Sequence, residues 1–444
     1  MALSEIVERK RMDVARRQAE NPQPSWVRSD RPWQPAGTAF ILECKRASPS
    51  EGVLRADLDV LSVAAAYRPL ATAISVLTDG PYFNGSFEDL KRVRGVVPQP
   101  VLCKDFVVTP WQVYEARSQG ADMILLMLSV LRDEEWRACF EAVQACAMTA
   151  LTEVHDKEEL ERASRLGAQL LGINNRNLKT LEVDVSVSER LVSSAGFAAC
   201  RISESGLSKH AQVRKLRSMG FDGFLVGSAM MKSPRLDLAV RRLIFGEVKV
   251  CGLRRRVDAE AAWASWATWG GLIMAPGSPR RVTLEEARRV RTDELSWVGV
   301  FVDAAISEVV RAVGELGLSA VQLHGSEDDA YRSALREHVD CEIWQAYRVR
   351  DSLPLEVPAG ADKLLLDTYK PGVPGGTGAT WDWGLLSRCA YRDRVVVSGG
   401  LTPAMASQAD ACDVWALDVN SGVESAPGIK DPEKLSAFFA SLRG

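Results

Sequence analysis

The sequence predicts an α/β protein made of two tandem (β/α)8 TIM barrels, the first with extra N-terminal helices. Two observations predict this fold. Short apolar runs alternate with charged, amphipathic stretches, and each half of the chain contains eight such runs. These runs are typical of parallel strands buried on both faces, and eight strand–helix units close into a barrel. One barrel takes roughly 250 residues, so a chain of 444 residues has room for a second.

The composition is that of ordinary globular domains. Hydrophobic residues make up 46% and charged residues 25% of the chain, which excludes a fibrous or mainly disordered protein. The net charge is only −3, so the charge balance gives no reason to expect nucleic-acid or membrane partners. No run approaches the roughly 18 apolar residues of a membrane span. The N-terminal segment is charged and lacks the apolar stretch that a secretory signal contains. Its pattern predicts an amphipathic helix.

Cysteine and histidine usage predicts a reduced protein without a metal site. The nine cysteines are scattered and form no CxxC pair, which favours a cytoplasmic location. None of the four histidines, His155, His210, His324 and His338, lies at metal-ligand spacing from another. We therefore expect a cytoplasmic protein that binds no metal.

The first eight apolar runs predict the strands of the first barrel. They are Phe40–Cys44, Ile74–Leu77, Val101–Cys103, Met123–Leu126, Ala150–Leu151, Leu170–Ile173, Ala199–Ile202 and Phe224–Val226. Helix-like segments such as Trp111–Gln119, Asp156–Leu166 and Lys209–Met219 lie between them. This alternation indicates βα units with a parallel sheet.

The runs begin again after Phe245, which predicts two domains, 1–246 and 247–444. The second set is Val248–Cys251, Leu272–Met274, Trp297–Phe301, Ala320–Leu323, Ile343–Ala346, Lys363–Leu366, Val395–Val397 and Val414–Val419. The tryptophan-rich segment Trp263–Trp269 is interpreted as a helix packing against this barrel. A doubly wound sheet would fit the periodicity almost as well, but no GxGxxG motif follows a strand.

Polar residues follow six of the eight predicted strands of the first half. Chemistry in a barrel is carried out where strands end and βα loops begin. A structural ion pair would explain one such group, whereas converging charges at six strand ends favour an active site. The candidate residues of this site are Glu43, Lys45, Lys104, Glu153, Asn174, Arg176, Glu204, Ser205, Gly206, Gly227 and Ser228.

The last two strand ends of the first half predict an anion site. Ser205-Gly206 and Gly227-Ser228 offer small residues and free backbone N–H groups beside helix N-termini, which suits a phosphate. The substrate is then a sugar phosphate or a similar small phosphoester. The lysines and glutamates suit acid–base chemistry on its carbon skeleton: a lysine could donate a proton or stabilise negative charge, and a glutamate could act as base.

Five ordered motifs in the first half resemble the indole-3-glycerol phosphate synthase family. They are Phe40–Ser50, Leu102–Phe106, Leu151–Val154, Gly172–Arg176 and Ser203–Gly206. The resemblance covers residues 1–246 and implies closure of an indole ring from 1-(o-carboxyphenylamino)-1-deoxyribulose 5-phosphate, with loss of CO₂ and water. It also implies that residues 1–35 form the extra N-terminal helices that cover the mouth of the barrel.

The resemblance also implies roles for individual residues. Lys104 is similar to the general acid on the substrate carbonyl, and Glu153 to the base or acid of dehydration. Lys45 resembles the lysine that meets the substrate carboxylate and helps proton transfer. Glu43, Asn174 and Glu204 resemble orienting residues, and the substrate and phosphate region contains Arg176, Ser205, Gly206, Gly227 and Ser228.

The strand ends of the second half provide another candidate site. Its residues are Cys251, Arg280, His324, Asp367, Gly399, Gly400, Asp418, Ser421 and Gly422. The glycines and serine after strands 7 and 8 again predict a phosphate site. Cys251 and Asp367 are candidates for a base and an acid, provided that their environment moves both pKa values toward neutrality. A lone cysteine is otherwise a small buried hydrophobic residue.

Motifs of the second half resemble phosphoribosylanthranilate isomerase over residues 247–444. They are Lys249–Leu253, Val321–Gly325, Leu365–Asp367 with Gly375–Gly378, Ser398–Leu401 and Ser421–Glu424. The resemblance implies an Amadori rearrangement of an aminoaldose to an aminoketose. Asp367 is then similar to the acid that opens the ribose ring, and Cys251 to the base that removes the C2 proton. Arg280 matches the arginine that faces the anthranilate carboxylate. His324 resembles a family residue near the site.

One departure from the family pattern leaves alternatives open. Leu253 is followed by Arg254-Arg255-Arg256, where the family has a small residue, and these arginines could hold anions or narrow the pocket. The leading hypothesis is a bifunctional enzyme of tryptophan biosynthesis. The alternatives are an active synthase with a degenerate second barrel, a phosphosugar-binding regulator without turnover, and another phosphosugar isomerase such as one of histidine biosynthesis.

The resemblances also imply what the protein binds. We expect phosphosugar–anthranilate substrates, no cofactor, no nucleic acid and no membrane. We further expect a monomer, which contacts other enzymes of the tryptophan pathway.

Overall fold

The first half of the chain folds into a closed parallel barrel. The computed structural model describes residues 3–48, 50–55, 58–368 and 380–444. In this part of the chain the first barrel has eight strands, β1 to β8: Ala39–Cys44, Ala73–Leu77, Val101–Lys104, Met123–Met127, Thr149–Val154, Leu170–Asn174, Cys200–Glu204 and Gly223–Val226. Each strand pairs in parallel with the next, and β8 closes against β1 with Phe224 opposite Phe40.

The second half forms another closed parallel barrel. Its described strands, β9 to β16, are Glu247–Val250, Trp269–Ile273, Ser296–Phe301, Ala320–Leu323, Glu342–Val349, Lys363–Thr368, Val395–Val397 and Ala416–Val419. Strand β16 closes against β9, with Leu417 opposite Val248. The predicted fold of two tandem barrels is therefore confirmed, and a doubly wound sheet is excluded because both sheets close.

Helices follow most strands, as a barrel requires. In the described residues α1 to α17 are Leu3–Glu20, Val60–Tyr67, Gly80–Phe83, Phe87–Val96, Pro110–Ser118, Asp133–Ala145, Lys157–Leu166, Ser186–Leu191, His210–Ser218, Ser228–Met231, Leu236–Phe245, Arg256–Ala264, Leu284–Val290, Ile306–Leu316, Asp329–Arg336, Ala406–Asp410 and Pro432–Arg443. None of these helices is both long enough and apolar enough to cross a membrane.

Short elements complete the chain. Short 3₁₀ segments of the described chain span Val192–Ser194, Trp383–Arg388, Arg392–Arg394, Pro403–Met405 and Ser421–Val423. Two small antiparallel hairpins pair Ala47–Ser48 with Gly52–Val53, and Glu424–Ala426 with Ile429–Lys430. Each hairpin follows a strand end that contributes to a candidate site, the first after β1 and the second after β16.

The two compact units divide at Leu243 and Ile244, within α11. The predicted boundary at residues 246 and 247 falls just beyond that point. The motif Gly375–Gly378, which contributed to the second resemblance, lies outside the described residues.

The N-terminal segment differs from the sequence expectation in one respect. Residues 1–35 were expected to form several helices, but in the described residues 3–38 there is one, α1. The remainder of this stretch, which contains Pro22, Pro24, Pro32 and Pro35, runs without regular structure. Proline lacks the N–H group that a helix interior needs, so its density after Glu20 explains the difference.

The tryptophan-rich segment also departs from its interpretation as a helix. Helix α12 ends at Ala264, Trp266 adopts a left-handed backbone with φ of 84°, and Trp269 opens strand β10. The Trp269 ring packs edge-on against Trp344 and Trp415. These rings belong to the hydrophobic core of the second barrel, so the segment contributes to the core as well as to a helix.

Candidate active sites

The polar residues at the strand ends of the first barrel surround one cavity of about 660 Å³. All of the first-half candidates line it: Glu43, Lys45, Lys104, Glu153, Asn174, Arg176, Glu204, Ser205, Gly206, Gly227 and Ser228. Its apolar walls include Leu3 and Ile6 of α1. The N-terminal helix therefore borders the same space as the candidate acid–base groups.

Lys104 lies between two buried carboxylates. Its Nζ atom is 3.6 Å from Glu153 Oε2 and 3.9 Å from Glu204 Oε2. Burial lowers the pKa of Lys104, but the carboxylates of Glu153 and Glu204 outweigh that effect and raise it above its usual range. Lys104 therefore favours its ammonium form, with protons to offer to a substrate oxygen.

The two carboxylates have pKa values displaced in opposite directions. Burial raises the pKa of Glu153, but Lys104 and His155 outweigh burial and bring it below its usual range. Burial and the charge of Glu153 together raise the pKa of Glu204. Among the described residues neither carboxylate accepts a hydrogen bond of normal geometry; the contacts of Glu153 are with Lys104 at 3.6 Å and with His155 at 3.2 Å. Glu153 thus favours its ionised form and Glu204 its protonated form, an arrangement suited to acid–base chemistry.

Lys45 pairs with Glu43 at the end of β1. Lys45 Nζ lies 3.1 Å from Glu43 Oε1. Burial raises the pKa of Glu43, but Lys45 and Lys104 outweigh it and the pKa is lowered. A Cβ atom on Gly227 would lie 2.5 Å from Glu43 Oε1, so a larger residue at position 227 would displace this carboxylate.

Asn174 and Arg176 order the loop after β6. The Asn174 side-chain oxygen accepts the Arg176 N–H at 2.9 Å, and Arg176 Nη1 donates to the Ser50 hydroxyl at 2.6 Å. Arg176 thereby connects this loop with the hairpin that follows β1. Its guanidinium lines the cavity beside the candidate acid–base groups.

The predicted anion site of the first barrel is made of backbone with unusual dihedrals. Ser205 and Gly206 both have positive φ, 69° and 81°. Ser228 begins the short helix α10, and its hydroxyl donates to the Glu51 carboxylate, which also pairs with Lys232 Nζ at 2.7 Å. Sequence reasoning missed Glu51 and Lys232, because both look like ordinary surface charges.

Lys10 anchors α1 to the mouth of the barrel. Its Nζ atom is 2.7 Å from Asp79 and 2.6 Å from Asp105, and all three side chains are buried. Burial lowers the pKa of Lys10, but Asp105 and Asp79 outweigh it and raise the pKa. Because Asp105 directly follows Lys104, this ion triad joins the helix to a strand end of the site.

The second barrel places Cys251 beside a buried lysine. Lys249 Nζ donates to Gln322 Oε1 at 2.8 Å and to Asp418 Oδ1 at 3.1 Å. A Cβ atom on Gly271 would lie 2.8 Å from Cys251 Sγ and 2.9 Å from Lys249 Cε, so both side chains contact that glycine. Burial raises the pKa of the Cys251 thiol, and the Lys249 ammonium partly opposes it.

His324 connects this buried group to Asp367. Gln322 Nε2 and His324 Nδ1 are 2.9 Å apart, and His324 Nε2 is 3.4 Å from Asp367 Oδ2. Asp367 Oδ1 accepts the Thr368 N–H at 2.8 Å. The structure therefore joins Lys249, Gln322, His324 and Asp367 through successive polar contacts.

Arg280 is held by a carboxylate from the hairpin after β16. Its Nε and Nη2 atoms lie 2.9 and 2.7 Å from the two oxygens of Glu424. Lys430 Nζ, which is buried, also contacts Glu424 at 2.9 Å. A Cβ atom on Gly252 would lie 2.9 Å from Arg280 Cδ, which places the arginine next to the Cys251-Gly252 turn.

The predicted anion site of the second barrel repeats the backbone of the first. Gly399 and Gly400 have positive φ, 89° and 74°, like Ser205-Gly206 at the end of the corresponding strand. Ser421 and Gly422 form a 3₁₀ turn, and a Cβ atom on Gly422 would lie 1.9 Å from the Leu401 carbonyl oxygen. Asp418, predicted to bind substrate, is buried between Lys249 and Ser398.

The three arginines that depart from the family pattern have protein partners. Arg254 donates to the Pro279 carbonyl at 3.1 Å, Arg255 pairs with Asp258 at 2.6 Å, and Arg256 with Glu260 at 3.0 Å. Asp258 and Glu260 lie on α12, which begins at Arg256. Two of the arginines are therefore engaged by that helix.

Fold and sites together define a class: a two-barrel enzyme with acid–base groups and anion-binding loops at the strand ends of each barrel. Residues 3–243 match the indole-3-glycerol phosphate synthase family, and residues 248–441 the N-(5'phosphoribosyl)anthranilate (PRA) isomerase family. The chain is 45% identical over 452 residues to the tryptophan biosynthesis protein TrpCF of Salmonella typhi, covering 99% of both chains.

The comparisons include two further similar proteins. The TrpCF protein of Vibrio parahaemolyticus is 46% identical over 455 residues, covering 99% of this chain and 94% of that protein. A crystal structure of phosphoribosyl anthranilate isomerase from Thermus thermophilus is 35% identical, with a TM-score of 0.41, and covers 44% of this chain and 98% of its own.

The chain belongs to the family of bifunctional tryptophan biosynthesis proteins, in which an indole-3-glycerol phosphate synthase precedes a phosphoribosylanthranilate isomerase. It is an enzyme with both activities, and the alternative of an inactive second barrel is not supported.

Proposed function

We propose that Lys104 and Glu153 carry out the acid–base steps of indole ring closure in the first barrel. Lys104 donates a proton to the carbonyl oxygen of the open-chain substrate while the aromatic carbon attacks that carbonyl. The carboxyl group leaves as CO₂, and water is then eliminated with Glu153 as the proton-transferring group. The 3.6 and 3.9 Å distances from Lys104 to its two carboxylates carry this proposal.

The other first-barrel residues bind and orient the substrate in this proposal. Lys45 meets the substrate carboxylate and helps proton transfer, while Glu43, Asn174 and Glu204 hold the reacting groups in place. The anionic parts of the substrate are bound by Arg176, Ser205, Gly206, Gly227 and Ser228. Backbone N–H groups in left-handed turns suit a phosphate because they converge on one point.

For the second barrel we propose an Amadori rearrangement by Asp367 and Cys251. Asp367 donates a proton to the ring oxygen of the phosphoribosyl group, which opens the ring to a protonated imine. Cys251 then removes the C2 proton, and the resulting enolamine becomes the ketone. Because these steps are proton transfers within one substrate, the rearrangement needs no metal or cofactor.

The remaining second-barrel residues bind the two anionic ends of that substrate. The guanidinium of Arg280 suits the anthranilate carboxylate. The phosphate lies at Gly399, Gly400, Ser421 and Gly422. His324 supports the site through its contact with Asp367, and Asp418 through its ion pair with Lys249.

The product of the C-terminal barrel is then the substrate of the N-terminal one. We propose that each site is built within one chain, 1–246 and 247–444, so that a monomer suffices for both reactions. A reducing cytoplasm suits nine cysteines that form no disulfide in the described residues. Contacts with other tryptophan-pathway enzymes would place the chain beside the source and the consumer of its metabolites.

Replacement of Lys104 tests this assignment. Lys104→Ala should lower synthase turnover by roughly 10²- to 10⁴-fold, the range for a lost acid–base group, and leave isomerase turnover unchanged. Lys104→Arg should not restore the synthase, because a guanidinium holds its proton more tightly. Near-normal ring closure by Lys104→Ala would remove Lys104 from this role.

A further inference from the structure

His155 lies directly behind Glu153, between that carboxylate and a second one. It follows the last residue of β5, and its Nε2 atom is 3.2 Å from Glu153 Oε1. Its other ring nitrogen, Nδ1, is 3.0 Å from Glu159 Oε2 on α7. The three side chains are largely enclosed, with exposed fractions of 11% for His155, 1% for Glu153 and 13% for Glu159. The imidazole therefore bridges two acidic groups at the edge of the synthase site.

Charged and acidic side chains from other strands face the Glu153 carboxylate. Glu153 is faced by Lys104 from β3, by Glu204 from β7 and, within the same pocket, by Glu43 from β1. Lys104 is shared between Glu153 and Glu204, and Lys45 is taken by Glu43. Lys104 approaches Glu153 at Oε2, and His155 is the basic group at the other oxygen, Oε1.

The imidazole is charged at neutral pH in this position. Burial lowers the pKa of His155, but Glu153 and Glu159 outweigh burial and raise it to about 10. Both ring nitrogens then carry protons: Nδ1 is hydrogen-bonded to Glu159, and Nε2 faces Glu153 at ion-pair distance. A neutral histidine would leave one of the two carboxylates facing a lone pair.

We propose that His155, held in place by Glu159, is a positioning residue that keeps the Glu153 carboxylate ionised and aimed at the substrate during indole ring closure. The proposal rests on the assignment of Glu153 to the proton transfers of the synthase. His155 contacts Glu153 and acts through it. Its charge favours the ionised form of Glu153, so that Glu153 is ready to accept a proton at neutral pH.

The N-terminal cap of α7 does not require an imidazole at position 155. Asp156 caps this helix by accepting the Glu159 N–H at 2.9 Å, and the Glu159 carboxylate accepts the backbone N–H of residue 155 at 2.8 Å. Both bonds would form with any non-proline residue at position 155. The ring contact with Glu153 is additional to the cap, and that contact is what the experiment removes.

The experiment compares H155N, H155Q and E159Q in the full chain, with synthase kcat and KM measured across pH. H155N should lower kcat roughly 10- to 100-fold, the range for a misplaced catalytic group, with a smaller effect on KM. Its activity should fall off on the acid side about one pH unit or more above the wild type, because an opposite charge at this distance moves a carboxyl pKa by that much. H155Q, whose uncharged amide reaches toward Glu153, should recover part of kcat but keep the displaced acid limb of the pH profile. E159Q should displace that limb less than H155N does.

The isomerase of the same molecules is the internal control, and its rate and pH profile should not change. Binding of indole-3-glycerol phosphate, the product, shows that the first pocket is intact. If H155N fails to bind the product, the pH profiles of H155Q and E159Q test the proposal instead. Equal loss at every pH, or unchanged kcat, would overturn the proposal. An active E153Q would instead overturn the assignment of Glu153, which separates the two failures.

Discussion

Lys249 and Asp418 form an ion pair of 3.1 Å in the interior of the second barrel, where their side chains are 0% and 5% exposed. Removing an ionic group from water is costly unless a partner compensates it. Gln322 provides a further contact to Lys249, and Ser398 to Asp418. The pair therefore forms a buried polar support beneath Cys251 and the loop after β15.

Lys249→Met should destabilise the second barrel, because it leaves the Asp418 carboxylate buried without its cation. The expected loss is about 3–5 kcal/mol, the usual range for breaking one side of a buried pair. Denaturant unfolding with probes for each barrel measures it. The double variant Lys249→Met/Asp418→Leu should regain part of the loss. A single variant as stable as the wild type would show that the pair contributes nothing.

Cys251→Asp should move the pH dependence of the isomerase toward acid. Burial raises the pKa of Cys251, so the thiolate fraction, and with it the rate, should increase with pH on the acid side of the profile. A carboxylate has an ordinary pKa of about 3.9, against about 8.5 for a thiol. The rising limb of kcat/KM should therefore lie at lower pH in Cys251→Asp. If the rising limb of the isomerase profile stayed at the same pH, another group would be the base. The pH profile of the synthase serves as the control.

Glu424→Gln should weaken binding of the isomerase substrate. The carboxylate fixes the Arg280 guanidinium through two charge-assisted bonds, and without it the arginine is free to turn away. We expect KM to increase roughly tenfold, the equivalent of one lost bond to a charged group, with a smaller change in kcat. Arg256→Ala, an exposed arginine paired with Glu260, is the matched control. Equal KM values in Glu424→Gln and wild type would contradict the positioning of Arg280.

Much of the fold was predictable because each signal was local. The predicted run Met123–Leu126, for example, lies in the fully buried strand Met123–Met127 and forms an uninterrupted apolar segment of the sequence. Lys104 and Glu153 were found by the same reasoning, since a charged residue at the end of such a run has to be paired or used. The structure places both at one cavity, and their catalytic roles stay predictions.

Other residues could not be found because their partners are distant in sequence. Lys10 lies in a helix full of charges and looks solvated, yet it is buried against Asp79 and Asp105. His155 and Glu159 read as an ordinary helix start. Lys249 did carry a signal: a lysine inside the apolar run Val248–Cys251 has to point either into the barrel or toward the helices. Only the closed barrel shows that it meets Asp418.

The central claim is that one chain holds two separate active sites, one dependent on Lys104 and the other on Cys251. The most direct test expresses each variant in two tryptophan-requiring hosts, one lacking the synthase and one lacking the isomerase. Lys104→Ala should restore growth only in the host that lacks the isomerase, and Cys251→Ala only in the host that lacks the synthase. If either stable variant failed in both hosts, or restored growth in both, the assignment of one independent site to each barrel would be contradicted.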